Sequence, residues 1–313
     1  MALETDKQRG FATEFQELWA SLPSKAVFGV LFAAWFALFH FLGNSTFGYF
    51  KTPSIFRWLY GVYETAPDDS LGGLIPFAVL ALFWWKREAL VAAPKRIWWP
   101  ALAIFVLALA FHLVGYTVQQ TRVSILAFFV GLYALMGLVW GPAWLRATFF
   151  PFILFAFMMP MTAYAENLTT SLRQLSTVMT VAISDDILGI KVIGSGTQIS
   201  DRFNRFHYEV AAACSGIRSL TSMTALATVV AFMGFQKPWK RVLVIGAAIP
   251  LSVIGNVVRL LTIIIAAEWR GQTAGNFVHE HWFFSLFPYV PAILALMLMT
   301  RVLGDDVITE VKA

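Results

Sequence analysis

Three short runs hold the residues able to do chemistry. Cys214, the only cysteine, stands in EVAAACSGIRSLTSM four residues before Arg218; Asn256 and Arg259 stand three apart in IPLSVIGNVVRLLTIII; His279, Glu280 and His281 fall in GNFVHEHWFF. Residues three or four apart on a helix share a face, so each of the first two runs presents a pair. A cation beside a thiol favours the thiolate, which is the nucleophile, and so does a place in the first turn of a helix. A histidine brought to that thiol would take its proton and later protonate a leaving amine, while an arginine would hold the oxyanion of the tetrahedral intermediate. Together they describe a cysteine acyl-transfer site.

The elements that must bring these runs together are apolar. Of 313 residues 58% are hydrophobic and 13% charged, and the mean hydropathy is +0.69. Soluble domains run nearer 45 to 50% apolar with roughly 25% charged residues, so a soluble enzyme is excluded and a polytopic membrane protein expected. The net charge of +5 belongs to the sidedness of that protein, and no nucleic-acid partner is expected. One cysteine leaves no intramolecular disulfide.

Residues 1–24 are mixed polar, lack the apolar core of a removable signal, and read as a cytoplasmic tail. Apolar stretches follow at 26–43, 71–85, 97–115, 123–140, 147–161, 211–235, 242–267 and 282–303. Most approach the roughly 20 residues needed to cross the hydrocarbon layer. The expected fold is an all-α membrane bundle of about eight spans: spans one to five within 25–161, an external segment at 162–210, spans six to eight within 211–303, and a short C-terminal tail at 304–313. Pro76, Pro151 and Pro160 in or beside the two shorter stretches leave the number open by one. Lys86, Arg87, Lys95 and Arg96 follow span two and Lys237, Lys240 and Arg241 follow span six, whereas 117–122 and 268–281 hold one basic residue each. That asymmetry puts both termini inside. Span six then runs inward and span seven outward, which carries Cys214, Arg259 and the histidines to the outer leaflet.

The segment 162–210 is the least membrane-like. Leu168, Leu172, Leu175, Val178 and Met179 recur near a helical period between polar residues, which predicts an amphipathic helix on the outer surface. GIKVIGSGTQIS at 189–200 predicts a short hairpin or cap, a natural place to receive an extended peptide as an added strand. No internal repeat, Walker-type loop or CxxC pair occurs.

At the chemical residues the sequence resembles the exosortase and archaeosortase family of membrane transpeptidases. Ala213-Cys214-Ser215-Gly216-Ile217-Arg218-Ser219, Asn256-Val257-Val258-Arg259 and His279-Glu280 are similar to its three ordered motifs, and the specific part of the resemblance runs over 209–283. The resemblance implies that Cys214 is the nucleophile, Arg259 the second catalytic residue and His279 the third. It also implies a PEP-CTERM type of partner: the C-terminal sorting signal of an exported protein, made of a short motif, one transmembrane helix and a basic cluster. The thioester would pass to an amine, a glycan-lipid or water, at the outer leaflet of the cytoplasmic membrane. His279-Glu280-His281-Trp282-Phe283 departs from the family pattern in lacking Gly-Trp after a small spacer, and His281 stays open as the alternative base.

Plainer readings stand beside these. Arg218 would either support the site or reach lipid phosphates, and Asn256 suits an interhelical hydrogen bond. A metal at His279, Glu280 and His281, with Glu209 or His207 folding over, ranks low because His-x-His splays across a strand; no cofactor or metal is expected. His40 and His112 sit singly on apolar helices as packing or hydrogen-bonding residues. The competing function is a transporter or flippase in which Arg218 and Arg259 hold an anionic lipid-linked substrate.

Overall fold

Proline at the start and apolar side chains all round write most of the helices. Pro76, Pro100, Pro142 and Pro238 stand in the first turn of four of them, where the missing N–H has no partner to lose. The computed structural model describes residues 10–48, 50–203, 205–209, 217–281, 283–284 and 289–304, with the backbone alone for Pro67, 162–169, Glu209, Ile217 and Arg218. It divides into two units, Met1–Glu64 with Gly72–Pro160, and Thr65–Leu71 with Met161–Ala313.

The first unit contains α1 (Phe11–Ser21), α2 (Lys25–Phe41), α3 (Ile55–Thr65), α4 (Ile75–Trp85), α5 (Arg87–Ala92), α6 (Pro100–Thr117), α7 (Thr121–Trp140) and α8 (Pro142–Ile153). Pro151 inside α8 removes a helical hydrogen bond, and the chain tightens into a 3-10 turn at Leu154–Met158. Packing centres on α7. Its Gly131 admits the Trp35 ring, which a Cβ would overlap, and the Trp35 indole donates to Phe128 O at 3.0 Å. His112 Nδ1 lies 3.1 Å from Ser124 Oγ and His40 Nδ1 lies 3.3 Å from Ser54 Oγ, so both lone histidines sit in local hydrogen bonds.

The second unit contains α9 (Thr162–Ala182), a π-helical turn at Ile183–Ile187, β1 (Val192–Ser195), β2 (Gln198–Asp201), β3 (His207–Glu209), α10 (Ile217–Gly234), α11 (Pro238–Gly246), α12 (Ala248–Arg270), α13 (Gln272–Glu280) and α14 (Tyr289–Leu303). Met223, Ala227 and Ala231 of α10 and Phe235 just after it recur every four residues and pack with Ala248 and Leu251 of α12 and Ala292 and Leu296 of α14. The small residues let these backbones approach. The far half of α12, through Leu260, Ile263, Ile264 and Ala267, carries Val192, Ile199 and Tyr208 of the strands and Phe206 just before β3. The expected hairpin is present, with Ser195 opposite Gln198 around Gly196 at φ +60°. A third antiparallel strand extends it in the order β1-β2-β3.

Three helical stretches among the described residues are long and apolar enough to cross a membrane: Pro100–Thr117, Thr121–Trp140 and the continuous α11–α12 stretch Pro238–Arg270. The bent pair α1–α2 makes up to four. The all-α membrane class is as expected, but the count of about eight is not reached by helices of that length: α4 has 11 residues, and α8 is cut by its proline. Along α9 and the π-helical turn after it, Ser176, Thr177, Thr180 and Ser184 are buried while Leu175, Val178, Met179 and Ile187 are exposed, the reverse of an amphipathic helix on a water-soluble core.

Candidate functional site

The site grows from α12. Ser252, Asn256 and Arg259 follow one another at four and three residues and so line one face of that helix; Ser252 and Asn256 are buried. Arg259 stands where the apolar cluster with α10 and α14 gives way to the cluster with the strands. A guanidinium there needs partners, because an unpaired charge in an apolar bundle is costly. Its Nη2 donates to the backbone oxygen of His279 at 3.2 Å, and its buried Nε has no hydrogen-bond partner among the described residues. Arg259 and His279 are thus brought together, as the sequence predicts, though through the histidine's main chain.

His279 is half-buried in the last turn of α13. Burial first, and the positive charge of Arg259 second, pull its pKa below 6.5, against an opposing contribution from Glu280. Both lowering causes disfavour imidazolium, so the ring is held as the neutral base. His281 is engaged differently. Its Nδ1 accepts the Phe283 N–H at 3.3 Å, and its ring lies 5.0 Å from Phe277 and 5.9 Å from Phe284. Cys214 and Ser215 lie outside the described residues. The backbone at Arg218 is helical and belongs to α10, which packs against α12.

Sequence reasoning missed what holds α13. The Gln272 side chain accepts the His207 N–H at 2.8 Å and donates to the His207 oxygen at 3.2 Å, which closes the outer edge of β3 as a strand would. The Tyr208 hydroxyl donates to Gln272 O at 3.1 Å over Gly275, where a Cβ would overlap it. Gln272 and His279 are seven residues apart, two turns of one helix, so this clamp positions the histidine. A second device is ionic. Arg205 bonds Asp201, whose side chain is 1% exposed, at 2.8 Å and Glu268 at 2.7 Å. The guanidinium and the N–H groups of Arg205 and Phe203 hold the Asp201 carboxyl below 3.8. The Gln272–His207 and Arg205–Glu268 contacts join segments more than sixty residues apart and follow no spacing rule, whereas Asp201 and Arg205 are four apart.

The opposite edge of the sheet is open. Asp201 N–H bonds Phe206 O at 3.0 Å and Arg202 N–H bonds Lys191 O at 3.2 Å. By the alternation of an antiparallel ladder, the N–H and C=O of Val192 and Gly194 therefore point away from β2. No described residue bonds them, and Gly194 is exposed.

Helices long and apolar enough to cross a membrane in both units, with a small sheet laid on the helix of the half-buried Arg259, define a multi-pass membrane protein. A family model described as transmembrane exosortase matches residues 63–298, well over half of the chain, and the chain belongs to that family. The match spans the cysteine, arginine and histidine runs on which the resemblance was read. No curated protein matches the chain, and no solved structure does.

Proposed function

We propose that the protein is a membrane cysteine transpeptidase or protease that cleaves the C-terminal sorting signal of exported proteins. The observation that carries the reading is the Arg259–His279 pair: a half-buried cation and a histidine kept neutral, on elements that pack together. His279 takes the proton of the Cys214 thiol, and the thiolate attacks the scissile carbonyl carbon. Arg259 stabilises the resulting oxyanion. The tetrahedral intermediate collapses with cleavage of the C–N bond, and the imidazolium gives its proton to the departing amine. A thioester remains, and an amine or water attacks it, giving its proton to His279; the C–S bond breaks and the thiol returns. The engagement of His281 with Phe283 favours His279 as the base. The open edge of β1 suits an extended peptide added as a strand, with the substrate's transmembrane helix in the lipid and its basic tail at the inner face. Arg218, Asn256 and Ser215 are assigned supporting places beside the nucleophile.

The test is co-expression with a candidate carrying a C-terminal motif, a transmembrane helix and a basic tail, comparing wild type with Cys214→Ser by intact mass. Loss of the tail with wild type alone is expected, and the mass of the new C terminus separates transfer from hydrolysis. Equal processing by both proteins would remove Cys214 as nucleophile and move the reading to an anion transporter built on Arg259.

A further inference from the structure

Helix α1 carries an aromatic surface that the other described residues leave uncovered. Phe11, Phe15 and Trp19 recur every four residues as a ladder of rings, successive centroids 6.3 and 6.4 Å apart with planes 18° and 10° from parallel. They remain 67%, 49% and 55% exposed. An adjacent side of the helix is docked on the first unit: Arg87 pairs with Glu14 at 2.8 Å, Phe11 meets Trp84 at 4.5 Å, and Leu18 and Leu22 pack on the cluster of Leu90, Trp140 and Trp144. Apolar area left in water costs about 25 cal/mol per Å². A contiguous aromatic ladder therefore calls for an apolar cover.

Two observations identify that cover. The axis of α1 is bent 89° from α2, with Ser24 in the left-handed region at φ 52°. Helix α2 is apolar over 17 residues and contacts α7, which is long enough to cross a membrane; with α2 as a span, a helix at a right angle to α2 lies in the membrane plane. The docking end of the unit also gathers tryptophans with cations. Arg87 lies over the Trp84 ring at 5.1 Å, Lys86 over Trp85 at 5.4 Å and Lys95 over Trp144 at 5.7 Å. Aromatic rings with cations mark the boundary between acyl chains and head groups.

We propose that α1 is an interfacial anchor lying in the head-group layer of the phospholipid bilayer, with Phe11, Phe15 and Trp19 sunk toward the acyl chains and Thr13 and Gln16 turned to water. It would set the depth at which the first unit sits. The basic residues beside it match anionic phosphates.

Because Cys214 is the only cysteine, Cys214→Ser gives a background for single labels. Phe15→Cys and Thr13→Cys, two residues apart and so on opposite sides of the helix, are labelled with a polarity-sensitive fluorophore. The full chain is placed in nanodiscs of phosphatidylcholine and phosphatidylglycerol. At position 15, blue-shifted emission, quenching by a nitroxide on the upper acyl chain and an iodide quenching constant several-fold below that at position 13 are expected. Trp19→Cys provides the same readout should the Phe15 label disturb the fold. Equal iodide access at the two sides would overturn the proposal, as would strongest quenching by a nitroxide at the chain end, which would mean a crossing helix.

Discussion

Arg259 is the residue on which the candidate site turns, since it touches His279 and keeps a buried Nε without a partner among the described residues. A stabiliser aimed at developing charge is worth on the order of 10²–10³ in kcat. Arg259→Gln is expected to lose that much in the cleavage assay, and Arg259→Lys most of it, because an ammonium lacks the planar fork. The acid limb of kcat/KM reports the free enzyme's base. With His279 held low by burial and by Arg259, that limb is expected below pH 6.5. Glu280 raises the histidine's pKa, so Glu280→Gln should move the limb lower still. A limb that moves upward in the Glu280→Gln pH profile would take His279 out of the base's role.

The small sheet and α13 form an element whose stability can be read from two contacts. Gly275→Ala drives a methyl group into the Tyr208 hydroxyl, and overpacking of this kind costs about 1–3 kcal/mol. Loosening of α13 should appear as faster amide exchange over 272–280, and Tyr208→Phe in the same chain should restore part of the protection. Asp201 supplies the pH dependence. Its folded pKa is depressed, so its contribution is complete above 3.8 and is lost as pH falls through the lower folded value. Asp201→Asn should therefore speed exchange over 192–209 at neutral pH while leaving α10 and α14 protected. At this scale the sequence was legible where a period exists. Alternating β-branched residues and glycines marked the hairpin, but HYE at 207–209 is too short to show a strand, and the Gln272 clamp is tertiary. The period of α9 was legible too, though not which side is buried: spacing tells that two faces differ, whereas the medium on each side decides the direction.

Scarcity of charge assigns the whole molecule to a membrane before any helix is placed, because 13% charged residues cannot cover a water-facing surface. The number of crossings was less legible, since hydropathy reads 71–85 and 147–161 as unbroken apolar runs while the backbone starts a new helix at Ile75 beside Pro76 and tightens into a 3-10 turn after Pro151. Loop charges put Cys, Arg and His on one face only as an expectation, and the contact of Arg259 with a main-chain oxygen lies beyond any pattern. Sidedness follows from those same loops. Lys95, Lys237 and Lys240 should face the cytoplasm and Gln198 and Thr273 the outside if basic residues mark the inner face. Single cysteines at 95, 198, 237 and 273, in the Cys214→Ser background and probed in intact cells with an impermeant maleimide, test this directly. Labelling at 198 and 273 without permeabilisation, and at 95 and 237 only after it, is the expected result. Labelling at 237 in intact cells would turn the α10–α11 connection outward. The N-terminal end of α10, reached just after Cys214, would then face the cytoplasm, where an exported protein's sorting signal keeps only its basic tail, and the cleavage reading would fail with the topology.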